Sequence, residues 1–172
     1  MKDCFAEAGC NFLTWNVLHD RTAHRAAELV GRANFILFCG GHVPTQNTFF
    51  QRIHLAHALT GWEGLLMGIS AGSMNMASTV YSLPEEQGEA RDPFYHRFLP
   101  GLELTDTQII PHFQRLRETV LDGYRSIDDL AVGDSFGHCF YGMPDGAYIL
   151  RRGTREELHG PAWVIQDGAV RM

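Results

Sequence analysis

Apolar residues fall along this chain in short blocks separated by turn-forming residues. Two continuous apolar runs stand out, at 35–39 (Phe-Ile-Leu-Phe-Cys) and 64–69 (Gly-Leu-Leu-Met-Gly-Ile). The first is closed by Gly40-Gly41. A short apolar run of this kind suits a strand buried on both faces of a parallel sheet. Residues 20–29, 48–59 and 71–80 have the composition and spacing of helices. Residues 2–8 read as the end of a helix stopped by Gly9, and residues 12–18 as a strand. Strand and helix alternating in this way predict an α/β fold with a parallel sheet. Beyond residue 80 the pattern changes. Residues 82–91 are polar and loop-like, 104–110 form a strand ending at Pro111, and 118–126 read as a helix. The tail, 140–170, reads as strands broken by Pro-Asp-Gly, Arg-Gly and Asp-Gly turns. No repeat, low-complexity segment or linker interrupts the 172 residues, which predicts one domain with its own core.

Composition narrows the class. Hydrophobic residues make up 45% and charged residues 20%, as in ordinary soluble proteins. The net charge is −6 and no Lys/Arg run occurs, which argues against nucleic acid as a partner. The apolar runs are too short for a membrane-spanning helix. The first residues carry acids where a signal peptide would be apolar, so a cytoplasmic location is expected. Cys4, Cys10, Cys39 and Cys139 form no C-x-x-C pair and are expected as free, buried thiols.

The sharpest motif is Gly68-Ile-Ser70-Ala-Gly72, a G-x-S-x-G between an apolar strand and a helical segment. That context is what a nucleophile elbow requires. A sharp turn there holds Ser70 in a strained backbone conformation, with room only for small residues on either side. The hydroxyl would stand at a helix N-terminus, and the Ala71 N–H would face a developing oxyanion. An ordinary Gly/Ser turn is the competing explanation. A serine nucleophile needs a base. Of nine histidines, His112 follows a predicted strand directly, at the carboxyl edge where α/β sheets gather their chemistry. His54 and His57 have a spacing that metal ligands can use, but no third ligand is evident nearby, and a solvated helix face explains them better. Gly40-Gly41 also follows a strand, and Gly41 could supply a second oxyanion donor or simply make a tight turn.

Together these motifs resemble the peptidase E (aspartyl dipeptidase) and cyanophycinase family of serine peptidases. The points of likeness are Gly40-Gly41 with Asn47-Thr48-Phe49, Gly68-Ile-Ser70-Ala71-Gly72, Pro111-His112-Phe113 and Gly142-Met-Pro-Asp145-Gly146. The resemblance implies a three-layer α/β sandwich with a mainly parallel sheet, like the class I glutamine amidotransferase domain. It implies Ser70 as nucleophile where amidotransferases hold Cys, His112 as base, and Asp145 as orienting acid where peptidase E usually has Glu. Asp134 is the reserve for that acid. Gly41 and Ala71 match the oxyanion donors, and Asn47 joins them in binding substrate. No metal or organic cofactor is implied. The partner is a small peptide, and a homodimer is compatible with the resemblance.

Two features depart from the family pattern. His42-Val-Pro-Thr-Gln46 is inserted before Asn47, beside the site, which points to a related subfamily with its own substrate. The usual N-terminal strand, helix and strand are missing, which implies a shortened form or a fragment. The function expected is a serine peptidase acting through an acyl-enzyme. An esterase or amidase on a non-peptide substrate, or a catalytically silent amidotransferase-like binding domain, remain alternatives.

Overall fold

Two pairs of parallel strands carry the architecture, and Gly41, Ser70, His112 and Asp145 each sit on a loop leaving one of them. The computed structural model describes residues 2–172. Helix α1 (Lys2–Glu7) leads into a 3₁₀ turn (Asp20–Arg25), α2 (Ala26–Arg32), β1 (Phe35–Phe38), α3 (Val43–Arg52) and α4 (Leu55–Ala58). Next come β2 (Leu65–Gly68), α5 (Ala71–Met74), β3 (Thr79–Tyr81), β4 (Phe98–Pro100), β5 (Gln108–Ile110) and α6 (Phe113–Leu116). A hairpin of β6 (Val120–Leu121) and β7 (Tyr124–Arg125) precedes a π-helical turn (Ser126–Ala131) and α7 (Val132–Asp134). The chain closes with β8 (Cys139–Gly142), β9 (Tyr148–Arg152), β10 (Arg155–His159), β11 (Trp163–Gln166) and β12 (Ala169–Arg171).

Strands β1 and β2 pair in parallel, with Phe35 opposite Leu65 and Phe38 opposite Gly68. A second sheet has the order β12-β11-β8-β5, in which β5 and β8 are parallel and the other pairs antiparallel. The hairpin pairs β3–β4, β6–β7 and β9–β10 are antiparallel. The structure is therefore mixed α/β, not built on a mainly parallel sheet. The tight turn between β11 and β12 has a local cause in the left-handed Asp167-Gly168 pair.

Several expected elements changed. Residues 12–18 form no strand: Leu13 is fully exposed, and Phe12 and Trp15 fold over Phe35 together with Phe5. Alternating apolar residues supplied the pattern, but no neighbouring strand offers a ladder. The helix expected at 118–126 is the β6–β7 hairpin. Asp122 and Gly123 both have positive φ, 55° and 92°, as a two-residue turn joining twisted strands demands. The expected 48–59 helix starts earlier, at Val43 with Pro44 in its first turn, and breaks at His54, whose φ is 51°. The insertion at 42–46 is thus the opening of α3. The cysteines are not buried: Cys4, Cys10 and Cys39 are exposed and Cys139 is partly covered. Among the described residues no helix is long and apolar enough to cross a membrane.

The core lies in three groups. Tyr81, Ile110, Phe113, Phe140 and Ile165 fill the space over the four-stranded sheet. Phe38, Phe50, Leu55 and Leu102 pack one face of the β1–β2 pair. Val43, Ala71, Met74 and Val80 lie together in the third, beside Ser70 in sequence. The opposite face of β2 is open, with Leu65 at 62% and Met67 at 41% exposure, so this strand is covered on one side only.

Close approach, not freedom of φ, fixes the elbow glycines. A methyl group on Gly72 would lie 2.1 Å from the Phe38 carbonyl oxygen, and one on Gly68 would lie 2.6 Å from the Ser73 Cα. Gly72→Ala is expected to push α5 off β1 and to destabilise the fold by about 3 kcal/mol, the upper range for overpacking. Urea unfolding of the variant against the parent chain measures this. An unchanged midpoint would mean that α5 shifts freely.

Candidate active site

The first strand pair delivers two of the candidate segments. The turn after β1 holds Gly40 and Gly41, and the turn after β2 holds Ser70. Ser70 has φ 52° and ψ −122°, a conformation costing a non-glycine residue about 1–3 kcal/mol. The strain is held by the turn behind it: Gly72 N–H donates to Ile69 O, and the Ser73 and Met74 N–H groups donate to Ser70 O. These bonds leave the Ala71 N–H out. Helix α5 is one turn long, shorter than the pattern suggested, so its dipole adds little and oriented N–H groups are what it offers. The chain leaves it through Asn75 towards the short strand β3.

The second strand pair delivers the other two. His112 follows β5 and Asp145 follows β8, at the same carboxyl ends. His112 is left-handed, with φ 55° and ψ 31°. It is fixed from below by Phe113, fully buried, whose N–H donates to Met143 O at 3.1 Å. The Phe113 ring lies where a side chain at Gly142 would stand, which explains that glycine.

These loops bring three side chains into one line. His112 Nε2 lies 3.1 Å from Ser70 Oγ, and His112 Nδ1 lies 2.6 Å from Asp145 Oδ1. Asp145 Oδ2 accepts from Gln114 Nε2 at 2.7 Å, and Gln114 Oε1 accepts from the Asp145 N–H at 3.2 Å. The bond from His112, with that from Gln114 adding to it, holds the Asp145 carboxyl below the usual carboxylate range. An ionised Asp145 only accepts, so the proton of a neutral His112 sits on Nδ1. Nε2 is then free to accept from the Ser70 hydroxyl. Gln114, two residues beyond His112, was not singled out in the sequence; the two-way bond to Asp145 is its signal and exists only in three dimensions.

The remaining candidates divide. Gly41, with φ 153°, lines a cavity of about 390 Å³ shared with Ser70 and His112. Gly40 stands closer to the serine: a methyl group on it would lie 3.3 Å from Ser70 Cβ. Ala71 is fully buried directly after Ser70. Asn47 is not among the residues that line this cavity. It is buried, and its amide nitrogen is spent on Asn75 Oδ1 and Pro100 O, both at 2.8 Å. Asn75, with no exposure, donates in turn to Ala71 O and Gln46 Oε1, while Gln46 donates to Cys39 O. This amide chain ties the turn after β1 to the elbow helix. Asp134, the reserve acid, is engaged elsewhere, with Arg97 at 2.7 Å and the Tyr81 hydroxyl at 2.9 Å. Burial, with the Asp134 charge adding to it, pushes the Tyr81 hydroxyl far up.

The cavity wall is apolar at Met74, Leu83, Ile110 and Leu121, and carries charge at Glu85 and Arg115. Burial raises the Glu85 carboxyl, with His42 acting against it. His42, Glu86 and Glu89 are the group among the described residues whose ligand atoms converge within 4.8 Å. Both His42 nitrogens and both Glu89 oxygens already hold hydrogen bonds there. His54 and His57 bring no third ligand with them.

No protein-family model matches the sequence, and neither does any curated protein. Solved structures do share the fold. One, from Listeria monocytogenes EGD-e and named for peptidase E, superposes with a TM-score of 0.64 over 92% of this chain and 74% of its own, at 14% identity. Another, a peptidase from an acI-B1 actinobacterium, gives a TM-score of 0.63 over 98% of this chain and 68% of its own, at 23% identity. At such identities the likeness is one of fold. The chain has a peptidase E-like fold.

The buried amide chain gives a direct test of how the two turns are joined. Asn75→Leu strands the carbonyl and amide partners listed above in the interior. The expected cost is about 2 to 4 kcal/mol, as for several unsatisfied buried polar groups. Thermal unfolding reads it, and a loss below 1 kcal/mol, about the worth of one ordinary hydrogen bond, would show that the contacts are incidental.

Proposed function

We propose that this chain is a cytoplasmic serine hydrolase that cleaves small peptides, with Ser70 as nucleophile, His112 as general base and Asp145 as the acid that orients it. The observation that carries the reading is the unbroken hydrogen-bond line from Asp145 through His112 to Ser70, at 2.6 and 3.1 Å. Ser70 Oγ attacks a carbonyl carbon while His112 Nε2 takes its proton. The same proton then goes to the leaving amine, giving an acyl-enzyme that water opens by the same route. The N–H groups of Ala71 and of the Gly40-Gly41 turn stabilise the oxyanion. The reading brings with it the three-layer, amidotransferase-like architecture to which the resemblance points. The neighbours named for peptidases support peptides over other acyl substrates. A cavity of about 390 Å³ favours small ones, being near the low end for ligand sites.

A fluorophosphonate probe should label the protein stoichiometrically, and Ser70→Ala should abolish labelling. Labelling that survives the substitution overturns the assignment. Asp145→Asn should fold normally and lower kcat by roughly 10² to 10⁴, the upper value being that of an orienting aspartate in a well-formed triad. Asp134→Asn should keep its turnover per folded molecule. The pH dependence follows from the sign of the Asp145 shift. A lowered carboxyl pKa leaves Asp145 ionised, and its bond to His112 Nδ1 in place, throughout the neutral and mildly acidic range. The ionised form is lost only as pH falls through that lowered value. Activity lost between neutrality and the ordinary carboxylate range is therefore not due to protonation of Asp145. A pH–rate profile of kcat/KM checks this. An acid limb that Asp145→Asn removes would contradict it.

A further inference from the structure

The histidine that opens the inserted segment is part of a bond beside the cavity, between residues adjoining its lining at Gly41 and Glu85. His42 Nε2 lies 2.8 Å from Glu89 Oε1, joining residues 47 apart in sequence, with both side chains largely covered. The other Glu89 oxygen accepts from the Glu85 and Glu86 N–H groups at 2.8 and 2.9 Å. The other nitrogen of the ring, His42 Nδ1, lies 2.8 Å from the Thr45 hydroxyl. Both ring nitrogens of His42 and both carboxylate oxygens of Glu89 thus have partners.

The pair has a definite place. His42 directly follows Gly41 and precedes the first turn of α3. Glu85, whose N–H the pair holds, lines the cavity with Gly41 and Ser70. The segment around it has no regular structure of its own. From its far side the Asp122 carboxylate, in the β6–β7 turn, accepts from the Gly88 and Ala90 N–H groups. The segment 85–90, whose Glu85 lines the cavity, is thus held by two carboxylates, and Glu89 bonds it to His42, next to the glycine turn that faces the serine.

We propose that His42 and Glu89 form a positioning pair for the reaction at Ser70: their bond sets the distance between the glycine turn and the 85–90 segment, and with it the fit of the substrate carbonyl. The proposal rests on the hydrolase reading above. A displacement of about 1 Å at a reacting centre can cost on the order of 10²-fold in rate.

The test is a double-mutant cycle on the full chain, with amine release from a mixed dipeptide pool as the readout. His42→Ala and Glu89→Ala should each lower kcat about 10- to 100-fold per folded molecule, with a smaller change in KM. The double variant should lose no more than the worse single, because one bond is removed. A kcat unchanged within about twofold, or losses that multiply, would overturn the proposal. Amide hydrogen exchange supplies a readout independent of turnover. In His42→Ala the Glu85 and Glu86 amides should exchange faster, although the substitution is remote in sequence; unchanged exchange overturns the proposal. If the parent chain shows no Ser70-dependent turnover, the hydrolase reading fails, and the exchange result still decides whether His42 holds the segment.

Discussion

The contact between Gly72 and the Phe38 carbonyl is the constraint around which this protein is arranged. It brings the elbow helix against the end of β1 so closely that no side chain fits between them. That approach forces the chain to turn sharply at residue 70 and leaves Ser70 at positive φ. The strain is offset by packing: Ala71 and Met74 bury themselves with Val43 and Val80 in a small core behind the turn. The Asn47–Asn75–Gln46 amides close the same space with hydrogen bonds, where an apolar core would leave backbone carbonyls unmet. Stability and geometry at Ser70 thus share one set of contacts.

A second strained residue answers the first. His112 takes the left-handed conformation directly after a proline, and is held there by a buried phenylalanine and the β8 backbone. Two non-glycine residues with positive φ, 42 positions apart, meet at 3.1 Å. Strain of this kind persists only where the surroundings over-determine it, and it gathers at functional sites. Parallel pairing gathers the loops within each pair, those after β1 and β2 and those after β5 and β8, and the contact of α5 with β5 brings the two pairs of loops together.

The two sides of the β1–β2 pair are unlike. One is packed by α2 to α4 and their apolar residues. The other is met near β1 by the aromatic cluster of Phe5, Phe12 and Trp15 on Phe35, while Leu65 and Met67 of β2 face solvent. Parallel strands read as continuous apolar runs because both faces are normally covered. Here the apolar run is present and half of the cover is not, which is why burial on both faces was a sound inference from 64–69 and did not hold.

Local chemistry determined what the sequence alone could tell. Apolar runs closed by glycine gave β1 and β2. G-x-S-x-G gave the turn at Ser70, and a strand ending in Pro-His gave His112 an exit at the right edge. Pro-Asp-Gly placed Asp145 on a turn. These depend on a few adjacent residues and on steric rules that act at short range. What the sequence missed depended on distant neighbours. Residues 12–18 alternate like a strand but lack a partner, and residues 118–126 look helical until Asp122-Gly123 is allowed to fold them back. Asn47 matches a substrate-binding position by resemblance, while in the packed chain its amide nitrogen is bonded to Asn75 and Pro100. The choice of Asp145 over Asp134 as neighbour of His112 was open by local pattern. Tertiary structure decided it by giving Asp134 to Arg97 and Tyr81, because a carboxylate serves whichever donors the packed chain brings within about 3 Å of it.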